Sequence, residues 1–226
     1  MKLSIVIPCY NEAENIPLLI NSINAEFKPN TEIILIDNGS TDDTMDVVSK
    51  ELKSIKNASI RLVRVEKNIG YGHGIMSGVK EAKSDIIAWT HADLQTDIKD
   101  VYNGYEIFDS KSNQEKTFLK GFRKERSLIN QILTWGMAKI TSVVLGEKLT
   151  EINAQPKMFH RSFLEIANDP PDDFSLDLYF YIKAVKNKFN VVELPVYFKD
   201  RLYGEAKGGG GSSVFTRIKV IKRTLK

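Results

Sequence analysis

The first 90 residues repeat one pattern: a short run rich in β-branched residues, then a polar cluster, then apolar residues at helical spacing. The short runs are 3–7, 32–37, 60–65 and 85–90. The first run stops at Pro8, after which Asn11 and Glu14 form a capping pattern, and residues 40–43 form another. Strands that alternate with helices predict right-handed βαβ units. We therefore expect an α/β fold, with a mostly parallel, Rossmann-like sheet flanked by helices.

The second half of the chain is less regular. Apolar spacing predicts strands near 117–122 and 191–196, and helices near 128–145 and 176–186. Residues 208–213 read GGGGSS, a composition typical of a flexible joint. We therefore expect one folded domain over 1–207, followed by a joint and a terminal helix over 208–226.

Charge and hydropathy exclude several classes of protein. The formal net charge of +3 is too small to indicate nucleic-acid binding. No apolar run approaches the roughly 18 residues that cross a bilayer, and the chain starts directly in a strand rather than in a signal peptide. A lone Cys9 cannot form an internal disulfide. These features predict a folded cytoplasmic protein of enzyme size.

Polar clusters follow all four early strands, at 8–12, 37–40, 68–74 and 91–95. In an open parallel sheet, ligands bind beyond the carboxyl ends of the strands, so these clusters should converge on one edge. Asp37 offers a fixed, acceptor-only carboxylate for a ribose hydroxyl or a base, although it could instead shape a turn together with Ser40. We favour nucleotide binding for Asp37 and helix capping for residues 40–43.

Three glycines, at 70, 72 and 74, follow the third strand. They would let a diphosphate approach the backbone and the following helix N-terminus. A dinucleotide-binding oxidoreductase places its glycine fingerprint after the first strand, so this position argues against that class.

Metal-binding chemistry is predicted after the fourth strand. Asp93 and Gln95 present hard oxygen ligands suited to Mg²⁺ or Mn²⁺. His91 either adds a nitrogen ligand, which would favour manganese, or only lines the cleft. Zinc chemistry is disfavoured because Cys9 and the histidines lack ligand spacing.

Taken in order, the motifs IVIPCYNE (5–12), DNGSTD (37–42), the glycine run and ADLQ (92–95) resemble family 2 glycosyltransferases of GT-A fold. The branch they resemble is the dolichyl-phosphate or polyprenyl-phosphate sugar synthases, over roughly the first 205 residues. The resemblance implies a nucleotide-sugar donor and a divalent metal held by Asp93, Gln95 and His91. It implies catalytic roles for Asp93, Asp177 and Arg201. It implies donor-binding roles for Pro8, Tyr10, Glu12, Asp37, Asn68, Gly72, Gly74, Ala92, Arg123 and Lys207.

The sequence departs from the family pattern at three places. His91 stands where the family usually has Asp, and Ala206 stands where Ser usually precedes the late Lys207. Residues 153–157, NAQPK, replace a small glycine-containing turn on the expected acceptor side. The polar Asn153 and Gln155 could therefore signal a different acceptor or sugar.

The resemblance implies a single in-line displacement with inversion at the sugar carbon. A hydroxyl acceptor would need Asp177 as its base, whereas a phosphate acceptor needs no strong base, and Asp177 would then only position groups. Three functions follow: transfer to a polyprenyl phosphate, transfer to a saccharide or other hydroxyl in surface polysaccharide assembly, or silent nucleotide binding. Retention of Asp93, Gln95, Asp177 and Arg201 argues against the silent protein.

The last residues form a basic amphipathic pattern. The apolar positions on one helical face are Val214, Phe215, Ile218, Ile221 and Leu225. Lysines and arginines surround this face, so the helix could bind the cytoplasmic face of an anionic membrane. It could equally pack on its own domain or on a second copy of the chain.

Overall fold

The computed structural model describes residues 2–55, 57–124, 142 and 146–199. Its strands are β1 (Leu3–Cys9), β2 (Thr31–Asn38), β3 (Ile60–Val65), β4 (Ile86–Trp89), β5 (Thr117–Lys124), β6 (Lys157–His160) and β7 (Asn190–Tyr197). Its helices are α1 (Ile16–Glu26), α2 (Thr44–Ile55), α3 (Tyr71–Glu81), α4 (Ile98–Asp109) and α5 (Leu176–Lys186). Two short 3-10 turns span Gln114–Lys116 and Arg161–Glu165.

The seven strands form one sheet in the order β3-β2-β1-β4-β6-β5-β7. All neighbouring pairs are parallel except those of β6, which runs antiparallel to both β4 and β5. The predicted α/β fold with a mostly parallel sheet is confirmed. The terminal helix over 208–226 and the boundary at 207 lie outside the described residues, as does the helix expected near 128–145 apart from Ser142.

Helices cover both faces of the sheet, and the strand residues divide between them by alternation. Ile5 and Ile7 pack with α1 and α4 on one face, and Val6 packs with α3 and α5 on the other. All eight residues of β2 are buried, as expected for a central strand of a parallel sheet covered on both faces.

Two predictions about the first βα unit are wrong. Strand β1 continues through Pro8 to Cys9, with Pro8 opposite Ile36 in the parallel register. Asn11 does not cap α1, which begins at Ile16, five residues later. Asn11 instead adopts a positive φ of 52°, and its side-chain oxygen accepts the Thr41 N–H, so its role is to join two loops. Neither α4 nor β6 was predicted from the sequence.

The described residues contain no helix that is both long and apolar enough to span a bilayer.

Gly78 provides a test of how closely α3 packs on the sheet. A Cβ at Gly78 would collide with Val6 and lie 2.9 Å from Ile36 Cδ1. We expect Gly78→Ala to lower the free energy of unfolding by about 1–3 kcal/mol, measured by urea denaturation, because stiff β-branched side chains must move.

Gly104→Ala in α4 is the matched control. Its Cβ would lie 3.3 Å from the flexible end of Leu119, and the gain in helix propensity offsets this contact, so the change should stay within about 1 kcal/mol. Equal stability of the two variants would contradict the close packing of α3.

Candidate active site

The loops after β1 and β2 are joined by hydrogen bonds. Ser40 Oγ accepts the Asn11 N–H at 3.1 Å, and Thr44 Oγ1 accepts the Glu12 N–H at 2.8 Å. Glu12 in turn receives the Asn15 side-chain amide at 2.5 Å. Pro8 and Tyr10 lie half-buried beside this junction. These bonds bring two of the predicted polar clusters together at one edge of the sheet.

Asp37 is buried at the end of β2, where its Oδ1 accepts the Ser40 N–H at 3.0 Å. It therefore shapes the turn, one of the two roles open to it from sequence, and contact with a nucleoside stays a prediction. In the predicted helix cap, Asp42 supplies the side chain, since its Oδ1 accepts the Thr44 N–H at 3.0 Å. Asn38 Nδ2 donates to Gly70 O at 3.0 Å and so joins the loop after β3, which includes the half-buried Asn68, to the site.

The glycines after β3 pack against the chain itself. A Cβ at Gly70 or Gly72 would collide with the backbone of residues 171–172, and one at Gly74 would lie 2.6 Å from Asn38 Cγ. The N-terminal turn of α3 is also capped, because His73 N–H donates to Asp172 O at 3.0 Å. The absence of a side chain at these glycines thus lets other parts of the chain approach closely, and contact of Gly72 and Gly74 with a diphosphate stays a prediction.

The loop after β4 holds the predicted metal ligands. Asp93 is 8% exposed, and its Oδ1 accepts the Gln95 N–H at 3.1 Å across Leu94, whose φ is 59°. His91 is half-buried, with its ring centroid 5.9 Å from that of Tyr71, and Ala92 is buried. The chain after β7 closes this loop, since Lys199 N donates to Gln95 O at 3.0 Å and Gln95 Nε2 donates to Lys199 O at 3.2 Å.

The donor set of this loop fits a cation shared with a ligand. In the part of the chain that the structure describes, no three His, Cys, Asp or Glu side chains are grouped to hold a metal. A cation that bridges phosphates needs only one or two protein carboxylates, because phosphate and water oxygens complete its coordination. Asp93 supplies one such carboxylate, so a cation shared with a ligand is compatible with the loop.

Asp177 lies in the first turn of α5 and is 3% exposed. Its Oδ1 accepts from Trp89 Nε1 at 3.2 Å and from Gln155 Nε2 at 3.0 Å. Its Oδ2 accepts from the Tyr71 hydroxyl at 3.4 Å and again from Gln155 at 3.1 Å. Donors from β4, α3 and the loop before β6 therefore occupy both oxygens of this carboxylate.

Tyr71 connects Asp177 to the loop after β4. Its ring stacks on Phe174 with centroids 4.9 Å apart and tilts against His91. Burial, followed by the charge of Asp177, raises the pKa of Tyr71 well above its ordinary value. Tyr71 therefore remains a hydrogen-bond donor at every pH at which the protein would be assayed.

Two lysines are completely buried behind Asp177. Lys157 in β6 and Lys120 in β5 lie opposite each other in the antiparallel register, and both are 0% exposed. Lys157 Nζ lies 3.5 Å from Asp177 Oδ1, whereas Lys120 Nζ lies 3.1 Å from Glu193 Oε1. Burial lowers the pKa of Lys157 to about 8 in spite of the opposing charge of Asp177.

Arg123, predicted to face a phosphate, is engaged by protein groups. Its Nε donates to Glu151 Oε2 at 2.6 Å, and its guanidinium lies 5.5 Å from the Phe198 ring centroid. Contact with a phosphate therefore stays a prediction. Arg201 and Lys207, predicted to act with it, lie outside the described residues.

Of the partners of Asp177, only Gln155 was singled out from the sequence. Tyr71 was considered only as part of a glycine run, Trp89 only as part of an apolar strand, and Lys157 only as part of a departure from the family pattern. The position of Lys157, directly before the apolar Met158 and Phe159, could have predicted one of these contacts. Lysine is rarely buried unless paired, so a lysine within an apolar strand indicates a buried partner.

Comparisons with known proteins match this chain to one family of enzymes. The family model for glycosyl transferase family 2 matches residues 4–165. A dodecaprenyl-phosphate galacturonate synthase from Rhizobium johnstonii is 26% identical over 73% of this chain and 49% of its own length. An undecaprenyl-phosphate 4-deoxy-4-formamido-L-arabinose transferase from Photorhabdus laumondii subsp. laumondii is 27% identical over 91% of this chain and 62% of its own length. The chain thus spans about half to three-fifths of these curated relatives.

Solved structures show the same fold at low identity. Glucosyl-3-phosphoglycerate synthase from Mycobacterium tuberculosis, in complex with Mn²⁺, UDP and glucosyl-3-phosphoglycerate, matches 99% of this chain and 77% of its own, with TM-score 0.73 and 15% identity. A mannosyltransferase from Pyrobaculum calidifontis, in complex with GDP-Man and Mn²⁺, matches 99% of this chain and 69% of its own, with TM-score 0.69 and 15% identity. The fold is therefore the GT-A fold of these enzymes.

The buried Lys157 makes stability depend on pH. The unfolded chain keeps the lysine proton up to about pH 10.5, whereas the native state loses it near pH 8. Because the unfolded state then binds more protons, the free energy of unfolding rises with pH across this window. Between about pH 7 and about pH 9.5, we expect wild type to gain about 2 kcal/mol relative to Lys157→Met, measured by urea denaturation. A difference that is independent of pH would contradict the lowered pKa.

Proposed function

Because the chain belongs to glycosyltransferase family 2, we propose that it transfers a sugar from a nucleotide-sugar, a UDP- or GDP-sugar, to a polyprenyl phosphate. An oxygen of the acceptor phosphate attacks the anomeric carbon as the bond from that carbon to the donor diphosphate breaks. The nucleoside diphosphate leaves with the electron pair, and the configuration at the sugar carbon is inverted.

The occupation of Asp177 is the observation that carries the choice of acceptor. A hydroxyl acceptor must lose a proton, and its base needs a lone pair directed at the substrate within hydrogen-bond reach. Asp177, the acid that the family pattern puts on the acceptor side, is buried and accepts from Trp89, Gln155 and Tyr71. A phosphate acceptor is already ionised and needs no such base, so this geometry favours a phosphate.

The curated relatives support the same acceptor class. Both are named for sugar transfer involving a polyprenyl phosphate, dodecaprenyl in one and undecaprenyl in the other. Their similarity to this chain covers most of its length but only part of theirs, so the activity of the whole protein is part of the proposal.

On the donor side, we assign Asp37 to the nucleoside and Asp93 to a divalent cation, Mg²⁺ or Mn²⁺, with Gln95 and His91 as further ligands. When bound, the cation neutralises the charge that develops on the departing diphosphate. Bonds to Lys199 hold the side chain and backbone of Gln95, and the ring of Tyr71 packs against His91. The protein thus orients this loop before any ligand arrives.

The remaining donor-side assignments follow the family pattern. Pro8, Tyr10 and Glu12 would border the nucleoside, beside the junction of the loops after β1 and β2. The positive charges for the diphosphate or the acceptor phosphate would come from Arg123, Arg201 and Lys207. The basic segment over 214–226 would bring the chain to the cytoplasmic face of an anionic membrane, where a lipid acceptor resides.

A transfer assay tests the proposed function. The purified chain is incubated with Mg²⁺ or Mn²⁺, a panel of UDP- and GDP-sugars and a short polyprenyl phosphate, and the lipid product is measured by mass. We expect one donor to give a sugar lipid only when the cation is present. We expect Asp93→Asn to lower turnover at least about 100-fold, because the charge on the leaving group is no longer neutralised.

Asp85→Asn is the matched control, since Asp85 is an exposed aspartate just before β4, at the opposite end of that strand. It should leave transfer unchanged. Full turnover by Asp93→Asn would refute the cation assignment. Release of nucleotide with an unmodified lipid would refute the phosphate acceptor and leave a saccharide or other hydroxyl in its place.

A further inference from the structure

We propose that Lys157 is a positioning residue for the acceptor side, a buried ammonium that holds the loop over residues 152–155 and the Asp177 carboxylate in one arrangement. This inference rests on the proposed function, because it assigns a role within the same site. Neither the family pattern nor the roles assigned above include Lys157.

The ammonium of Lys157 has one acceptor for each of its three protons. Its Nζ donates to Ala154 O at 2.6 Å and to Ile152 O at 2.9 Å, and it lies 3.5 Å from Asp177 Oδ1. An ammonium group carries three donors and no acceptor, so this set of partners uses all of them. One buried cation therefore connects a loop to the first turn of α5.

The loop held in this way is the one that reaches Asp177 from the other side. Gln155 is 0% exposed and donates to both Asp177 oxygens, at 3.0 and 3.1 Å, and to the Tyr71 hydroxyl at 3.2 Å. Because Lys157 binds the carbonyls just before Gln155 as well as the carboxylate, it fixes the distance between them. Without it, the loop and Asp177 would share only the contacts of the Gln155 amide.

The arrangement requires the charged form of Lys157. A neutral amine keeps two N–H groups and gains a lone pair, so one of the three acceptors would lose its donor. The charged groups facing Lys157 are Asp177 from α5, which favours the ammonium, and Lys120 and Arg123 from β5, which oppose it. Glu193 and Glu151 pair with those two β5 cations, and burial outweighs the effect of Asp177, which leaves the pKa of Lys157 at about 8.

The chain provides a close control for this role. Lys120 is also completely buried, on the adjacent strand directly opposite Lys157. Its ammonium contacts Glu193, Gly121 O and Glu151 O, and it lies 5.1 Å from the Tyr181 ring centroid. Lys120→Met thus removes an equally buried cation whose hydrogen-bond and ion-pair partners do not include Asp177.

The experiment compares wild type, Lys157→Met and Lys120→Met in steady-state transfer between about pH 6.5 and about pH 9.5. We expect Lys157→Met to raise the KM for polyprenyl phosphate about 10- to 100-fold, the usual effect of losing a charged hydrogen bond, and to leave the KM for the donor within about twofold. In wild type, kcat/KM for the acceptor should fall as pH rises through about 8, and Lys157→Met should lose this basic limb. Lys120→Met should keep the acceptor KM and a basic limb, but the limb should move to higher pH, because a charge that opposes the Lys157 ammonium is removed.

Hydrogen exchange tests the same role without catalysis. Amides of residues 152–156 should exchange faster in Lys157→Met than in wild type or Lys120→Met, after correction for intrinsic rates. If wild type transfers no sugar to lipid phosphate, the proposed function fails, and the exchange comparison still decides the positioning role.

An unchanged acceptor KM together with unchanged exchange would overturn the positioning role of Lys157. If Lys157→Met does not fold, a wild-type profile without a basic limb near pH 8 would overturn it.

Discussion

The parallel register of β2, β1 and β4 is the constraint on which the site depends. Cys9 pairs with Asp37, and Val6 pairs with Trp89, so the three strands end at the same edge of the sheet. The polar clusters that follow β1 and β2 are brought within hydrogen-bond distance of each other, as between Asn11 and Ser40. A slip of one residue would turn the alternating apolar side chains of β1 towards the wrong face, so the buried core protects the alignment of the site.

The burial of two charged lysines is a second constraint, and it lowers the stability of the fold. The structure buries two lysines on adjacent strands, and the resulting desolvation lowers the pKa of both Lys120 and Lys157. Apolar residues of similar volume often serve stability better than a buried ion pair. Stability alone does not explain the charge at Lys157, and its contacts with Asp177 and two loop carbonyls support the role in positioning that we propose for it.

Six of the seven strands and most helices of the described residues could be predicted because their signals are local. Runs rich in β-branched residues and helical spacing indicated β2, β3 and α5 within a residue or two. The helix cap predicted at Asn11 was wrong because the Asn11 side chain instead accepts a hydrogen bond from Thr41, which is distant in sequence. The atoms that approach the glycines at 72 and 74 within the structure belong to residues 171–172 and to Asn38, and no local pattern indicates these contacts.

By itself, the sequence determined the fold class and the edge at which the polar clusters collect, since strand periodicity and the order of strands and clusters are properties of neighbouring residues. Only the tertiary structure decided the surroundings of Asp177. Its donors Tyr71, Trp89 and Gln155 come from segments 106, 88 and 22 residues away in sequence, and they meet because β6 lies antiparallel between β4 and β5. Contacts between such distant segments depend on sheet order and register, which arise when the whole core packs.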